Sequence, residues 1–445
     1  MPNPEAETVI ATTGTAPLEW VRQCRTALSS GFVRNVIATF ATRVFLIGVA
    51  LVTTIVVARL LGPEGRGLYA VATALGALGV QFGNLGMHTA NVYYAARDPQ
   101  TLPSLIGNTL VVGLGVGAVL SAATGAVLIF APALVSLNGT ILFLAVLWIP
   151  LGLTYLLAQD LMLGVHDIRG YNLLEIANKT IPVALMGMVA WVQRVSVARL
   201  FATTVLATAT CAAWGLVRLT SKYSYPRVSF DLFRGTFQYA FKAYLITFFA
   251  FLVFRADLFM VQRMLGPEQA GYYSIASSMA DPVWMLATVV GTILLPKLSA
   301  MSDLRSKLRL TRRAIMGIAI SLLPLLLLAS LLAAPVIRLL FGSAFLPARM
   351  PFLLLMPGML FLGVETVAMQ FLNSIGCPAA VVWILGSCAV FNILVNLRVI
   401  GGYGIAGAAT VSSVTYFLAC TFLLWSVWRV SRRQLTEPDS SAATV

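Results

Sequence analysis

Six ionisable residues lie deep inside long apolar stretches of this 445-residue chain: Arg43, Lys179, Arg255, Asp257, Asp281 and Glu365. A charge at the centre of a membrane helix costs about 2.5–3.5 kcal/mol unless it faces protein or water, so each needs a reason to be there. Asp160 and Glu175 are set aside, because both fall within about a turn of a span end and can reach water. Glu175 also precedes Lys179 by four residues, the spacing that lets one neutralise the other. Arginine suits bidentate contact with phosphate, and a membrane carboxylate suits carriage of a proton or cation. Arg255 and Asp257 are two residues apart, roughly 200° around a helix, so they do not face each other. Arg255 therefore needs a partner from another helix or from a substrate. Two readings stay open: inter-helical ion pairs that hold the fold together, or a wet, partly cationic cavity for an anionic substrate. Arg43 and Arg255 lie in spans 1 and 7 and are read as equivalent positions of two halves described below, so both are expected to line the face between the lobes. In the cavity reading Arg43, Lys179 and Arg255 bind substrate, and Asp257, Asp281 or Glu365 is the candidate carrier if a cation gradient, rather than consumption of product outside, drives transport.

Other chemistries find no footing. The five cysteines (Cys24, Cys211, Cys377, Cys388, Cys420) are scattered singly, and the two histidines, His88 and His166, have no companions at ligand spacing. No metal, disulfide or cofactor is expected. Paired catalytic carboxylates, a nucleophile elbow and a phosphate-cradling glycine loop after a strand are all missing from the pattern, so an enzyme is not expected. The net charge of +14 is accounted for by membrane topology and attraction to anionic inner-leaflet lipid, and nucleic acid is not an expected partner.

The elements that must position these residues are membrane helices. With 59% hydrophobic and 10% charged residues and a mean hydropathy of +0.88, the chain lacks the polar surface that a water-soluble domain requires. Apolar stretches of about 20 residues recur along it, each long enough to cross a bilayer core. The predicted spans are about 35–58, 67–90, 104–130, 140–163, 171–193, 197–218, 236–263, 271–296, 314–340, 350–375, 380–400 and 405–429. The fold class expected is an all-α polytopic membrane protein with twelve transmembrane helices in two six-helix lobes. Its parts are an N-terminal tail 1–34, a first lobe 35–218, a linker 219–235, a second lobe 236–429 and a tail 430–445. The first 30 residues hold no apolar core, so the first span is expected to serve as its own insertion signal.

The halves share a motif. Arg59, Leu61, Gly62, Pro63, Glu64, Gly67, Tyr69 and Ala72 recur at an offset of 204 residues as Arg263, Leu265, Gly266, Pro267, Glu268, Gly271, Tyr273 and Ala276, which is 8 identities in 14 ungapped positions. This is an internal duplication. Each Leu-Gly-Pro-Glu sits between apolar runs and reads as a tight turn between helices, with the glutamate in the first turn of the second helix. Six spans separate the copies, so the repeat is parallel, with its pseudo-twofold along the membrane normal. With both termini on one side, that side carries 19 of the 30 basic residues and the opposite side 8, the remaining three lying within spans. The termini are expected in the cytoplasm and the Leu-Gly-Pro-Glu turns at the outer surface.

Asn35, the run Ala58-Arg-Leu-Leu-Gly-Pro-Glu with Gly67 and Tyr69, and Gly83-Asn-Leu-Gly-Met resemble the first half of oligosaccharide flippases of the polysaccharide-transport family, within the multidrug/oligosaccharidyl-lipid/polysaccharide exporter superfamily. Asn373-Ser-Ile-Gly-Cys-Pro, Asn392-Ile-Leu-Val-Asn and Gly402-Tyr-Gly-Ile-Ala-Gly-Ala-Ala resemble its closing pattern. The resemblance implies two lobes that open alternately to each side of a bacterial cell membrane. It also implies a lipid-linked oligosaccharide substrate, usually on polyprenyl diphosphate, carried to the outer leaflet for surface polysaccharide such as lipopolysaccharide or exopolysaccharide. Implied partners are that substrate, membrane lipid and the polysaccharide polymerase and export machinery. Two rival readings are a cation-coupled multidrug antiporter of the multidrug-and-toxin-extrusion type and a membrane glycosyltransferase or polymerase. The first would favour a carboxylate-lined cavity, and the second would need a large outer loop with catalytic carboxylates. Reporters fused to each end are expected to report a cytoplasmic location, and an outward-facing C-terminus would refute the topology.

Overall fold

A computed structural model describes residues 31–135, 137–223 and 225–436. The expected tail 1–34, except for its last four residues, and the last nine residues of the expected tail 430–445 lie outside the described residues. Twelve α-helices follow one another, with no strand among the described residues: α1 Gly31–Gly83, α2 Met87–Arg97, α3 Leu102–Leu110, α4 Gly117–Phe130, α5 Gly139–Gly164, α6 Ile168–Trp191, α7 Val197–Lys222, α8 Phe230–Leu265, α9 Pro267–Ala300, α10 Leu304–Leu340, α11 Arg349–Ser374 and α12 Ala380–Thr436. One π turn, Val111–Val116, joins α3 to α4 into a single stretch. The chain divides into two compact units at Gly48 and Val49, and the described part of the first unit is the beginning of α1. Everything below concerns the second unit, 49–445.

Ten described helical stretches are long and apolar enough to cross a bilayer. Two of the ten carry a break. At 53 residues α1 would be about 80 Å long if straight, far more than a bilayer core of roughly 30 Å. It turns at Gly62, whose φ of 67° and ψ of −175° are not helical. Helix α12 turns in the same way at Gly404. Two broken helices and eight others make twelve crossing segments, as the hydropathy pattern predicts. Lipid is their solvent: Phe130, Trp191, Leu331 and Trp383 are exposed large apolar side chains that a soluble protein would bury. Arg429 and Arg432 stack over Trp425 and Trp428 near the end of α12, an arrangement suited to a membrane interface.

The helix starts follow local rules. Asn138, Asp167, Ser196, Ser229 and Asp303 each accept a hydrogen bond from a backbone N–H of the turn they open. Asp167 also takes two hydrogen bonds from Arg218 at 2.8 and 3.1 Å, and that guanidinium holds its carboxyl below the usual carboxylate range. Several helices outrun the predicted spans. Helix α8 starts six residues before the expected 236, and α10 starts ten before 314. Hydropathy marks the lipid-embedded part, whereas the backbone keeps its helical hydrogen bonds into the interface. The irregular linker is correspondingly short. It is pinned on α3 by Asn108, which donates to the Ser229 carbonyl at 2.9 Å and accepts from the Ser229 N–H at 3.1 Å.

The duplication is visible in the backbone. Gly266, the equivalent of Gly62, has φ 92° and ψ 173°, so both copies turn through the same extended, positive-φ conformation. A residue with a Cβ adopts positive φ only under strain. Pro63 and Pro267 restart the helix at its first turn, where their missing N–H is not needed. The two copies then meet. A Cβ on Gly67 would overlap the carbonyl oxygen of Pro267, and a Cβ on Gly271 would overlap that of Pro63. These reciprocal contacts are what a pseudo-twofold axis between the second arm of α1 and α9 produces. Arg59 reinforces this end from the first arm: its guanidinium donates to the carbonyls of Leu339 and Leu340 at the end of α10, the latter at 2.7 Å. Gly67→Val or Gly271→Val is expected to push the two helices apart and lower the thermal midpoint of the detergent-purified protein by several degrees. An unchanged midpoint in both variants would show that the crossing is not this tight.

Candidate functional site

The crossing delivers one polar cluster to the face of α9. Arg255 on α8 and Asp281 on α9 approach to 3.5 Å, with side chains 39% and 42% exposed. That distance is long for a charge-assisted hydrogen bond, whose usual range is about 2.7–2.9 Å. The pair is loose and only part-buried. Arg66, from the second arm of α1, enters from the other half of the chain and donates from Nη2 to the Ser278 hydroxyl at 3.2 Å. Ser278 precedes Asp281 by three residues, hence one turn earlier on the same face of α9. Arg66 and Arg255 lie within electrostatic range of each other. The cluster thus holds a part-exposed Arg255–Asp281 pair, with Arg66 bonded one turn away at Ser278 and Asp257 also within electrostatic range of Arg255.

The other candidates lie elsewhere. Asp257 is 2% exposed. Its carboxylate takes hydrogen bonds from Tyr273, from Ser412 at 2.8 Å and from the Leu258 N–H at 2.7 Å, which ties α8 to α9 and α12. Tyr69, the repeat equivalent of Tyr273, does the matching job in the first half by bonding Thr204 of α7 at 2.8 Å. There, however, Thr53 stands at the position equivalent to Asp257. Glu365 is half-buried on α11, beside Thr366, which accepts a hydrogen bond from Trp284 of α9 at 2.8 Å. Lys179 is exposed on α6, a helix that packs against α5 and α7, and no described contact brings it to Arg255. The side chain of Arg43 lies outside the described residues. The repeat offset sets Leu51, not Arg43, at the position equivalent to Arg255, so the two arginines share equivalent spans without sharing register.

Arg66 was missed by the hydropathy reading, which counts it with the outer loop because it follows the Leu-Gly-Pro-Glu turn so closely. A signal was present in the repeat itself: the copies agree at Gly67 and Gly271 on one side but set Arg66 against Ala270. Asp160 is another group whose surroundings the sequence concealed. Its Oδ2 is buried and has no hydrogen-bond partner among the described residues.

Comparison with known proteins agrees with this architecture. The lipid II flippase MurJ in an inward closed conformation superposes with a TM-score of 0.69 at 16% identity, over 89% of this chain and 87% of that one. An inward-facing multidrug resistance transporter of the MATE family in the MOP superfamily gives 0.70 at 15% identity, over 88% and 96%. A MOP superfamily transporter from Pyrococcus furiosus, described as having a binding pocket of reverse polarity, gives 0.61 at 14% identity, over 88% and 93%. At these identities the likeness is one of fold. An uncharacterized membrane protein of Methanocaldococcus jannaschii is 27% identical over 168 residues, covering 37% of this chain and 33% of that protein. The match thus spans about a third of that curated relative's length.

Asp257→Ala is expected to leave the hydroxyls of Tyr273 and Ser412 without their buried acceptor and to cost about 1–3 kcal/mol for each unsatisfied group. The yield of folded protein should fall, while Asp257→Asn should retain most of it. A normal yield and melting point for the alanine variant would exclude a structural role.

Residues 56–350, more than half of the chain, match the family described as polysaccharide biosynthesis protein, and the chain, a twelve-segment membrane protein with the fold of the MurJ and MATE transporters, belongs to that family.

Proposed function

We propose that this protein is a flippase of the bacterial cell membrane, with both termini in the cytoplasm. It carries a lipid-linked oligosaccharide, on polyprenyl diphosphate, from the cytoplasmic to the outer leaflet for surface polysaccharide synthesis by alternating access. The observation that carries this reading is the loose, part-exposed Arg255–Asp281 pair. A diphosphate offers several charged acceptors to a planar guanidinium and can displace a carboxylate held only at 3.5 Å. The sugars would pass through the wet space between the halves while the polyprenyl chain stays among apolar side chains. Membership in a polysaccharide biosynthesis family and the flippase named among the structural relatives support the same substrate class.

Under this proposal Arg255 binds substrate, and Arg43 and Lys179 add positive potential. Asp257, Asp281 and Glu365 are the carboxylates proposed for ion coupling. A guanidinium at Arg255 held by its carboxylate only at 3.5 Å suits an anionic substrate better than the cationic drugs of an antiporter. No transfer chemistry is assigned to any residue, and we read the protein as a transporter rather than an enzyme.

Arg255→Ala should leave the protein in the membrane at near-normal level and stop display of the surface glycan, and Arg255→Lys should restore part of it. Normal glycan display by the alanine variant would refute the assignment. So would efflux of a cationic drug that depends on Asp281 and is indifferent to Arg255.

A further inference from the structure

Arg66 is 7% exposed, yet its guanidinium is only part satisfied: Nη2 reaches Ser278, and Nε has no hydrogen-bond partner among the described residues. A buried cation with an unused donor is costly, and the second copy of the turn has alanine at this position, so the turn does not need it. Its direction is informative. Arg66 sits one residue before Gly67, which meets Pro267 and Gly271 at the crossing. Ser278 lies seven residues beyond Gly271, two helical turns along α9, so the side chain runs inward from the crossing, down the face that carries Asp281 one turn further on. Directly after Asp281 comes Pro282, which has no N–H to donate to the carbonyl of Ser278. The helix is weakened between the two positions.

We propose that Asp281 exchanges partners during transport: Arg255 holds it in the arrangement seen here, and Arg66 takes it when the anionic headgroup of the substrate occupies Arg255. The idea rests on the anion site assigned above. Phosphate competes for Arg255 by bidentate contact and frees Asp281, a carboxylate that cannot remain unpaired at this depth without cost. Arg66, already on the same face with a donor to spare, then moves from Ser278 to Asp281, about 4.5 Å along the helix axis. The second arm of α1 slides along α9 by roughly one turn, a step of the kind packed helices make in switching proteins. Arg66 is thus a positioning residue that reports headgroup occupancy to the end of the molecule where the two copies of the turn meet.

The test uses the full chain in membrane vesicles, with Ser278→Cys as a probe whose alkylation by a small water-soluble thiol reagent is followed at that position by mass spectrometry. Modification should be slow while Arg66 covers the site. It should become about tenfold faster when undecaprenyl diphosphate is added, within the range usual for coupled sites, and equally so without any ligand when Arg255→Gln frees Asp281. Arg66→Gln should make modification fast and insensitive to both, stop glycan display, and leave binding of undecaprenyl diphosphate within about threefold, a small change beside a typical coupling. Arg66→Lys should recover part of the display. Unchanged modification in the Arg255→Gln protein would overturn the exchange, as would normal display by Arg66→Gln, or loss of headgroup binding in that variant, which would make Arg66 a direct ligand. Failure of the parent protein to bind undecaprenyl diphosphate would instead overturn the substrate reading, and the ligand-free arm would still decide the exchange.

Discussion

Two backbones touch where Gly67 and Gly271 meet Pro267 and Pro63. Because the contact is backbone to backbone, it fixes the separation of the second arm of α1 and α9 more closely than side-chain packing would, and it leaves room for no other residue type. Its reciprocity follows from duplication: each copy presents the same turn, with the same positive-φ glycine and the same proline restart, to the other. The consequences run inward. Only with the helices this close can Arg66 from the first half reach Ser278 on α9, and only then does the face bearing Asp281 belong to both halves. The polar cluster is therefore a product of the crossing, not an independent feature of either half.

Lipid as solvent sorts the remaining charges. Asp257 is admitted to the core with three donors around its carboxylate, a satisfied network that ties three helices together. Arg255 and Asp281 are treated differently, half-exposed and paired at arm's length although a closer pairing would better offset the cost of their depth. Structure alone would favour tightening that pair. A contact kept loose in this position suits groups that must let go of each other.

Much of this was legible in the chain. Leu-Gly-Pro-Glu at a 204-residue offset identified the duplication and the turn, because glycine and proline act locally and leave the same mark wherever they stand. Hydropathy likewise found the crossing segments, since burial in lipid is a property of composition. What it could not give was the partner of Arg255. Asp281 lies 26 residues away on the next helix, and pairing at that separation depends on how two helices are rotated about their axes, which no local pattern encodes. Arg66 was hidden for a related reason. Sequence places it in a loop at the membrane edge, but an arginine's long stem carries its charged head well away from the level of its Cα.

The sign of the cluster narrows what such a site can serve. For a cation, a lone exposed carboxylate would be the better design, and neutralising it with an arginine would oppose binding. For an anion the same arrangement is economical: the carboxylate keeps Arg255 oriented and compensated while empty, and gives way when a better acceptor arrives. A carboxylate used in this way must itself be caught after release, since its desolvation cost does not vanish with its partner. The neighbour with an unused donor, on the same face and one turn away, belongs to the other half of the chain. The physics that recommends an anionic substrate at Arg255 thus also recommends that occupancy of the site be felt across the pseudo-twofold.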